Sequence, residues 1–490
     1  MCRVLIVPGS SRKALAIVSS IRKYKICEPY VLFYSNHPHL YSRYLKDKVL
    51  LNMNKAYVSE REYVKNILLI SLTYDIDYVL PIDWQETVLL SKYKSLFKKY
   101  GINVIAPQYE KIVQASDKTS LPELIKGIVQ CPPQETIRSK LELSKVTRIS
   151  PPLVVKGISD DSKPQYFLSM SQALPIILKR IPIVIQEYVP GIGRGYYVVS
   201  LEGRPIIEFC HERLGEYYPT GGGSIVAHGY MTDPKLITIG RKIIERLKWT
   251  GQLMVETRWD YETGEYFIIE LNPKFWGSID LPIKLGFHFP VLLMIAMTKG
   301  YEEAMKFTRN LYVRKYGYYA WTLDSLHYLI YDTRFYLNIA YKTLKNPFAS
   351  EFDVTDTTTV LLKLAIKLNN LKHEKMKYKK LLREYEYKLL DWLKTFVQLL
   401  KKSKNIKIFF DFDGTLVSLP IKWIQVKRII KQYVDINEWE TITSVLNKLW
   451  TKDKEKYYYK SGLIHRFPIL DFSPRIICRR SLLFSKPRLI

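Results

Sequence analysis

Two glutamates and an asparagine set in apolar runs are the residues of this sequence best suited to chemistry. Glu270 and Asn272 interrupt "YFIIELNP" (266–273), and Glu256 interrupts "GQLMVETRWD" (251–260). Strand side chains alternate between faces, which places Phe267, Ile269 and Leu271 on one side and Ile268, Glu270 and Asn272 on the other. The turn "YETGE" between the runs signals a β-hairpin. Glu256 and Glu270 are equidistant from Thr263, so pairing brings them opposite or nearly opposite each other. Directly opposed residues have Cβ atoms about 4.5–5.5 Å apart, and two carboxylates so placed repel unless positive charge lies between them. With Asn272 beside Glu270 they make a hard-oxygen site suited to Mg2+, with Mn2+ as a substitute. Such a metal takes one or two carboxylates together with substrate phosphates. A solvated surface hairpin is the plainer reading of the same residues.

A paired site of this kind needs a frame to hold it. The chain has 490 residues, 47% hydrophobic and 25% charged, a globular balance with material for about three domains. Residues 1–106 alternate strand and helix. "RVLIVPGSSRKALAIVSSIRKY" is a strand, a Gly9-Ser10-Ser11 turn and a helix, and "YVLFYSN" and "YVLPID" are further strands. This pattern predicts a parallel α/β sheet. The turn could hold an anion at a helix N-terminus, although it lacks the three-glycine dinucleotide spacing. Residues 107–305 switch to antiparallel strands and hairpins, an α+β region. Its "GIGRG" (191–195) is followed by a strand where a dinucleotide loop requires a helix. From about residue 291 the chain reads as mostly helical, with 306–404 a helical extension whose basic surface is a solvated face. Residues 405–490 open another α/β unit.

The formal charge is +28. The lysines are dispersed and no nucleic-acid motif accompanies them, so no nucleic-acid partner is expected; anionic small substrates or a lysine-rich proteome explain the excess as well. The five cysteines, Cys2, Cys27, Cys131, Cys210 and Cys478, include no C-x-x-C pair. Their scatter indicates neither a zinc site nor a disulfide framework. The first residues read as strand, turn and helix instead of a signal peptide. No apolar run nears the roughly 18 residues of a membrane span. A cytoplasmic protein with no membrane partner is the expectation.

Several ordered segments resemble the ATP-grasp superfamily, closest to its carbamoyl-phosphate-synthase large-subunit-like and carboxylate–amine ligase members, over roughly residues 1–305. "ASDKTSLPELIKGIVQCPPQ" looks like the entry helix of that family with its D-K pair, here Asp117 and Lys118. "PPLVVKGI" is similar to the strand whose lysine, here Lys156, touches nucleotide phosphates. "VIQEYVPG" resembles the adenine hinge, with Gln186, Glu187, Tyr188 and Val189. "HERLGEYYPTGGGS" looks like the basic and glycine-rich segment near the transferred phosphate, with His211, Arg213 and Gly221, Gly222 and Gly223. "MVET" and "IIELNPKFWGS" match the metal strands with Glu256, Glu270 and Asn272, and Lys274 stands where the family has arginine.

The resemblance implies a pre-ATP-grasp α/β domain followed by a two-lobed ATP-grasp fold. It implies ATP and Mg2+ as cofactors and a small-molecule carboxylate and amine as substrates. The activity implied is that of an ATP-dependent ligase that activates the carboxylate as an acyl phosphate. Lys118 and Lys156 would hold phosphates, and the glycines would offer N–H groups to an anion. His211, Arg213 and Lys274 would meet the acceptor or the acyl phosphate. The acidic ribose contact common in the family is replaced by Gly193 and Arg194.

"KIFFDFDGTLV" separately resembles the nucleophile motif of the haloacid-dehalogenase superfamily. It implies Asp411 as nucleophile and Asp413 as acid/base, a possible vestigial site in a partial unit. After Glu455 the only acid is Asp471, whereas residues 461–490 hold Arg466, Arg475, Arg479, Arg480 and Arg488. The expectation is a reading-frame change near residue 460 and a poorly ordered unit without phosphatase activity. A phosphatase acting through Asp411 and a non-catalytic ATP-binding regulator are the alternatives to the ligase.

Overall fold

The computed structural model describes residues 2–371 apart from 52–58, 151, 160–163, 168, 190, 219–220, 231–232, 261–262, 332, 346–349 and 352–354. Asp411, Asp413 and the rest of the 405–490 segment lie outside the described residues, as does the extension beyond residue 371.

The N-terminal part is a five-stranded parallel sheet of β1 (Arg3–Val7), β2 (Glu28–Phe33), β3 (Asp47–Leu50), β4 (Tyr78–Pro81) and β5 (Asn103–Val104), in the order β3-β2-β1-β4-β5. Val4, Leu5, Ile6 and Val7 are all buried, as a parallel strand covered on both faces requires. The helix Glu60–Thr73 opens with a serine cap, the Ser59 hydroxyl accepting from the Glu62 N–H at 3.3 Å. Strand order reverses between β1 and β4, so the loops that follow these two strands flank the sheet's switch point, the usual place for a ligand crevice.

Cysteine usage requires a correction. Cys2 and Cys27 are joined by a disulfide. The cause is register: Arg3 pairs with Glu28 across β1 and β2, so the residues just before them are neighbours although 25 positions apart. Spacing along the chain could not show this. Cys131 and Cys210 are free.

A small antiparallel sheet follows, β6 (Gln134–Ile137), β7 (Leu153–Gly157), β8 (Gln165–Phe167) and β9 (Ile183–Glu187), in the order β6-β9-β7-β8. The helix Met170–Arg180 buries Ala173 and Ile177 against it.

The third sheet is antiparallel and six-stranded. It contains β10 (Ile192–Leu201), β11 (Arg204–Tyr218), β12 (Gly221–Tyr230), β13 (Gly251–Trp259), β14 (Tyr266–Asn272) and β15 (Tyr316–Ala320), in the order β14-β13-β10-β11-β12-β15. Alternation along β10 divides its aromatics. Tyr196 and Val198 face the amphipathic helix Pro234–Leu247, while Tyr197 and Val199 join the core of the helix Phe289–Lys299. The latter helix buries every residue from Phe289 to Ala296, as a helix apolar all round must. Strand β15 lies inside the stretch read as mostly helical. Its "YGYYA" pairs with β12 from Val226 to Tyr230, and aromatic residues suit that role. Among the described residues no helix is long and apolar enough to cross a membrane.

Candidate active site

Glu256 and Glu270 are directly opposed across β13 and β14, and Asn272 is opposed to Met254. A bulge follows Glu256, so that Thr257 pairs with Ile268 instead of Ile269. This bulge corrects the simple alternation. Tyr266, Ile268 and Leu271 share the core under the helix Pro234–Leu247, so Ile268 faces away from Glu270. The extra residue lets one short strand seal its apolar half and still turn two polar groups into a cleft.

The acids are surrounded by cations and donors. Arg213 Nη2 lies 2.6 Å from Glu256 Oε1, and Lys118 Nζ lies 3.3 Å from Glu270 Oε2. Asn272 Nδ2 donates to Glu270 at 2.8 Å and to Glu256 at 3.4 Å. Burial pushes Glu270 upward, but the charges of Lys118 and Lys156 and the Asn272 donor outweigh it and hold its pKa at about 2. Glu256 goes the other way: burial raises it, Arg213 opposes, and the charge of Glu270 adds to the rise. One carboxylate is therefore firmly ionised and its partner is the one that a further cation would pull down.

Lys156 is 7% exposed on β7. Its Nζ donates to Gln186 Oε1 at 2.7 Å; Gln186 Nε2 donates to Gln134 Oε1 at 2.9 Å, and Gln134 Nε2 to the Lys118 carbonyl at 2.8 Å. This amide chain links the two lysines. Burial lowers the Lys156 pKa to about 8, with Glu270 pulling it back up and Lys118 pushing it down. Gln186 and Glu187 close β9, and Tyr188 and Val189 follow. The Glu187 carboxylate accepts from Ser150 N–H at 2.7 Å, while the Glu187 and Tyr188 N–H groups donate to Pro133 and Pro152 carbonyls. This segment is thus held by its own neighbours on both sides.

Gly221, Gly222 and Gly223 begin β12 and pair back toward β11, with Gly222 and Gly223 exposed. The contact with Arg213 is made by the Gly222 carbonyl, which accepts from Arg213 Nη1 at 3.2 Å. Lys274 Nζ lies 5.9 Å from the centre of the Trp84 ring.

His211 departs from expectation. It is on the same strand face as Arg213, yet it is fully buried, stacked on Tyr197 with ring centres 4.5 Å apart. Its Nε2 lies 2.5 Å from Tyr197 Oη and 2.7 Å from Ser278 Oγ. Burial, with Arg213 nearby, pushes its pKa down to about 3, so the ring is neutral. It supports the loop that follows Asn272; packing against Tyr197 leaves it no face for a substrate.

The glycines of "GIGRG" have a steric role on this side of the sheet. A side chain at Gly193 would meet Arg213 Cδ at 3.1 Å, and one at Gly195 would meet Tyr197 Oη at 2.5 Å. Gly195→Ala is therefore expected to displace the Tyr197 ring from His211 and destabilise the chain by about 1–3 kcal/mol, measured by urea unfolding; unchanged stability would contradict the stack. Arg194 points to the opposite face, where it lies over Trp259 at 4.1 Å and donates to Tyr266 Oη at 2.9 Å. It is not in the cleft.

Residues that sequence reasoning missed complete the ring. Glu216, 4% exposed, lies 3.5 Å from Arg213 and 3.4 Å from Arg258. Arg258 is two positions from Glu256 on one strand, a signal that alternation already offered. Arg12, in the turn after β1, had no such signal. It donates to the carbonyls of Gly277 at 2.8 Å and Ser224 at 2.9 Å, and pairs with Asp324 at 3.0 Å. Next to it Lys13 Nζ donates to the Ile82 and Phe275 carbonyls and lies 2.5 Å from Asp83, to which Ser11 also donates. Together Ser11, Arg12 and Lys13 clamp the first sheet to the loop after Asn272. Arg12→Ala is expected to cost about 2 kcal/mol, read as a lower denaturation midpoint.

No protein-family model matches the chain, and no curated protein matches it. Solved structures do. Biotin carboxylase from Campylobacter jejuni, in complex with a β,γ-ATP ligand, is similar at 13% identity and a TM-score of 0.50, over 65% of this chain and 75% of that one. L-amino acid ligase from Bacillus licheniformis is similar at 12% identity and a TM-score of 0.48, over 60% of this chain and 74% of that one. Rhizobium etli pyruvate carboxylase is similar at 12% identity and a TM-score of 0.47, over 62% of this chain. This chain spans only 30% of the pyruvate carboxylase chain. The parallel sheet followed by two antiparallel lobes is a fold shared with the biotin carboxylase from Campylobacter jejuni.

Proposed function

We propose that this protein is an ATP-dependent carboxylate–amine ligase. A carboxylate oxygen attacks the γ-phosphorus of ATP and ADP leaves. The nitrogen of an amine then attacks the acyl carbon, inorganic phosphate leaves, and the nitrogen loses a proton. The observation that carries this reading is the opposed pair Glu256 and Glu270 with Asn272, ringed by Arg213, Lys118 and Lys156.

The donor set fits Mg2+, with Mn2+ as the substitute: two carboxylates and an amide supply hard oxygens. The amide nitrogen of Asn272 now donates to both acids, and a half-turn about its last bond would present the oxygen. When bound, the metal supplies charge neutralisation at the phosphates. Lys118 and Lys156 would neutralise phosphate oxygens, which matters because phosphoryl transfer depends on positioning and electrostatics. Arg213 and Lys274 hold the substrate carboxylate and the phosphoryl group, with the Gly221–Gly223 segment beside them. Gln186 to Val189 receive the base, and His211 acts by holding Tyr197 and Ser278. The cytoplasm is the compartment this reading assigns, and its partners are small molecules.

The test is Mg2+-dependent ADP release by the full chain across a panel of carboxylates and amines. ADP release that needs both substrates supports the ligase. ATP binding with no release for any pair would favour the non-catalytic regulator. Phosphatase activity lost in Asp411→Asn would favour the phosphatase.

A further inference from the structure

A cavity of about 650 Å3 lies between the first sheet and the small lobe, apart from the nucleotide hinge. Ligand pockets commonly span about 300–1,000 Å3 and are mostly apolar with a few convergent polar groups. This one fits that description. Trp84 and Val88, one turn apart on the helix that follows β4, form one wall, and Val113, Ile158 and Pro182 the others. Val113 is 46% exposed. The Trp84 wall stands at the switch point of the parallel sheet, where ligands gather.

The polar groups of the lining narrow the occupant. They include one acid, Asp117, and one base, Arg138, which flank Thr119: Asp117 accepts from the Thr119 N–H at 2.8 Å and Arg138 donates to Thr119 Oγ1 at 3.3 Å. Among the described residues the lining thus carries one charge of each sign. A zwitterion with a large apolar group matches all three features, its ammonium toward Asp117, its carboxylate toward Arg138 and its side chain against Trp84 and Val88.

The pocket also touches the phosphate site. Lys118 stands between Asp117 and Thr119 of the lining, and its Nζ donates to the carbonyl of Ser159, another lining residue, at 2.9 Å. Lys274 lies over Trp84. We propose that this cavity binds the amine-bearing substrate, an α-amino acid with a large apolar side chain. Its role as substrate rests on the ligase reading; its binding does not. The occupant would touch the first sheet's helix and the small lobe together, and so hold the lobe over the cleft.

Binding of L-phenylalanine, L-tryptophan, L-alanine and L-aspartate to the full chain is measured by calorimetry, beside binding of a fluorescent ADP analogue. L-Phenylalanine and L-tryptophan should bind saturably, at least about tenfold more tightly than L-alanine and more tightly than L-aspartate. Val88→Trp, which fills the cavity, and Trp84→Ala, which removes a wall, should each weaken L-phenylalanine at least about tenfold. Both should leave the analogue's affinity within about twofold, which also certifies the fold. No saturable binding of the aromatic amino acids, or L-phenylalanine affinity unchanged in Val88→Trp, overturns the site. Binding without stimulation of ADP release, when another amine does stimulate it, overturns the substrate role and leaves the ligase reading standing.

Discussion

Glu270→Ala should reduce ADP release to background, a loss of at least about 100-fold, with the fold retained. The substitution removes one of two opposed carboxylates and the acceptor of the Asn272 amide. It also removes the counter-charge of Lys118, 3.3 Å away, and the carboxylate that favours the charged form of the buried Lys156. The site then carries an excess of positive charge, and a divalent cation has neither the ligand nor the field to stay. Glu270→Gln separates the effects. It keeps the volume and an oxygen for Asn272 but not the charge, and the same loss of turnover is expected. Turnover, binding of the fluorescent ADP analogue and a thermal melt are measured together. Near-normal ADP release from a folded Glu270→Ala protein would remove this site from consideration.

Lys156→Met should weaken ATP binding by about ten- to a hundredfold, the worth of one charge-assisted hydrogen bond to a phosphate. The methionine keeps the apolar stem in its place on β7, while Gln186 loses the donor at 2.7 Å. Stability should change little at neutral pH, because burial already makes the charged lysine costly. Its pKa of about 8 lies below the ordinary 10.5. Between those values the unfolded chain holds a proton that the folded chain has released, so this group makes stability rise with pH through that window. Nucleotide affinity should move the other way. Above about pH 8 the free protein loses the Lys156 charge, and affinity should fall; in Lys156→Met that part of the pH dependence should vanish. Equal affinity in both proteins from pH 7 to 9 would make Lys156 a structural residue alone.

Some of this protein was legible one residue at a time. The opposition of Glu256 and Glu270 followed from their equal distance to Thr263, because a hairpin is local and its turn sets the register. The parallel first sheet followed from short apolar runs between helices, since buried strands must be apolar on both faces. Other features needed the folded chain. The bulge after Glu256 moved Ile268 to the other face from Glu270, and alternation cannot foresee an extra residue. Cys2 met Cys27 through the pairing of β1 with β2. His211 has the type and spacing of a site residue, but its environment depends on Tyr197 and Ser278, which only packing brings to it. The clamp made by Arg12 spans 312 positions to Asp324, and the cavity beside Trp84 is lined from five separate segments. The sequence by itself determined the types of side chain and their local faces, because those depend on neighbours along the chain. Tertiary structure decided which charges became partners and which polar groups were buried, because both depend on distances between segments that the chain order does not contain.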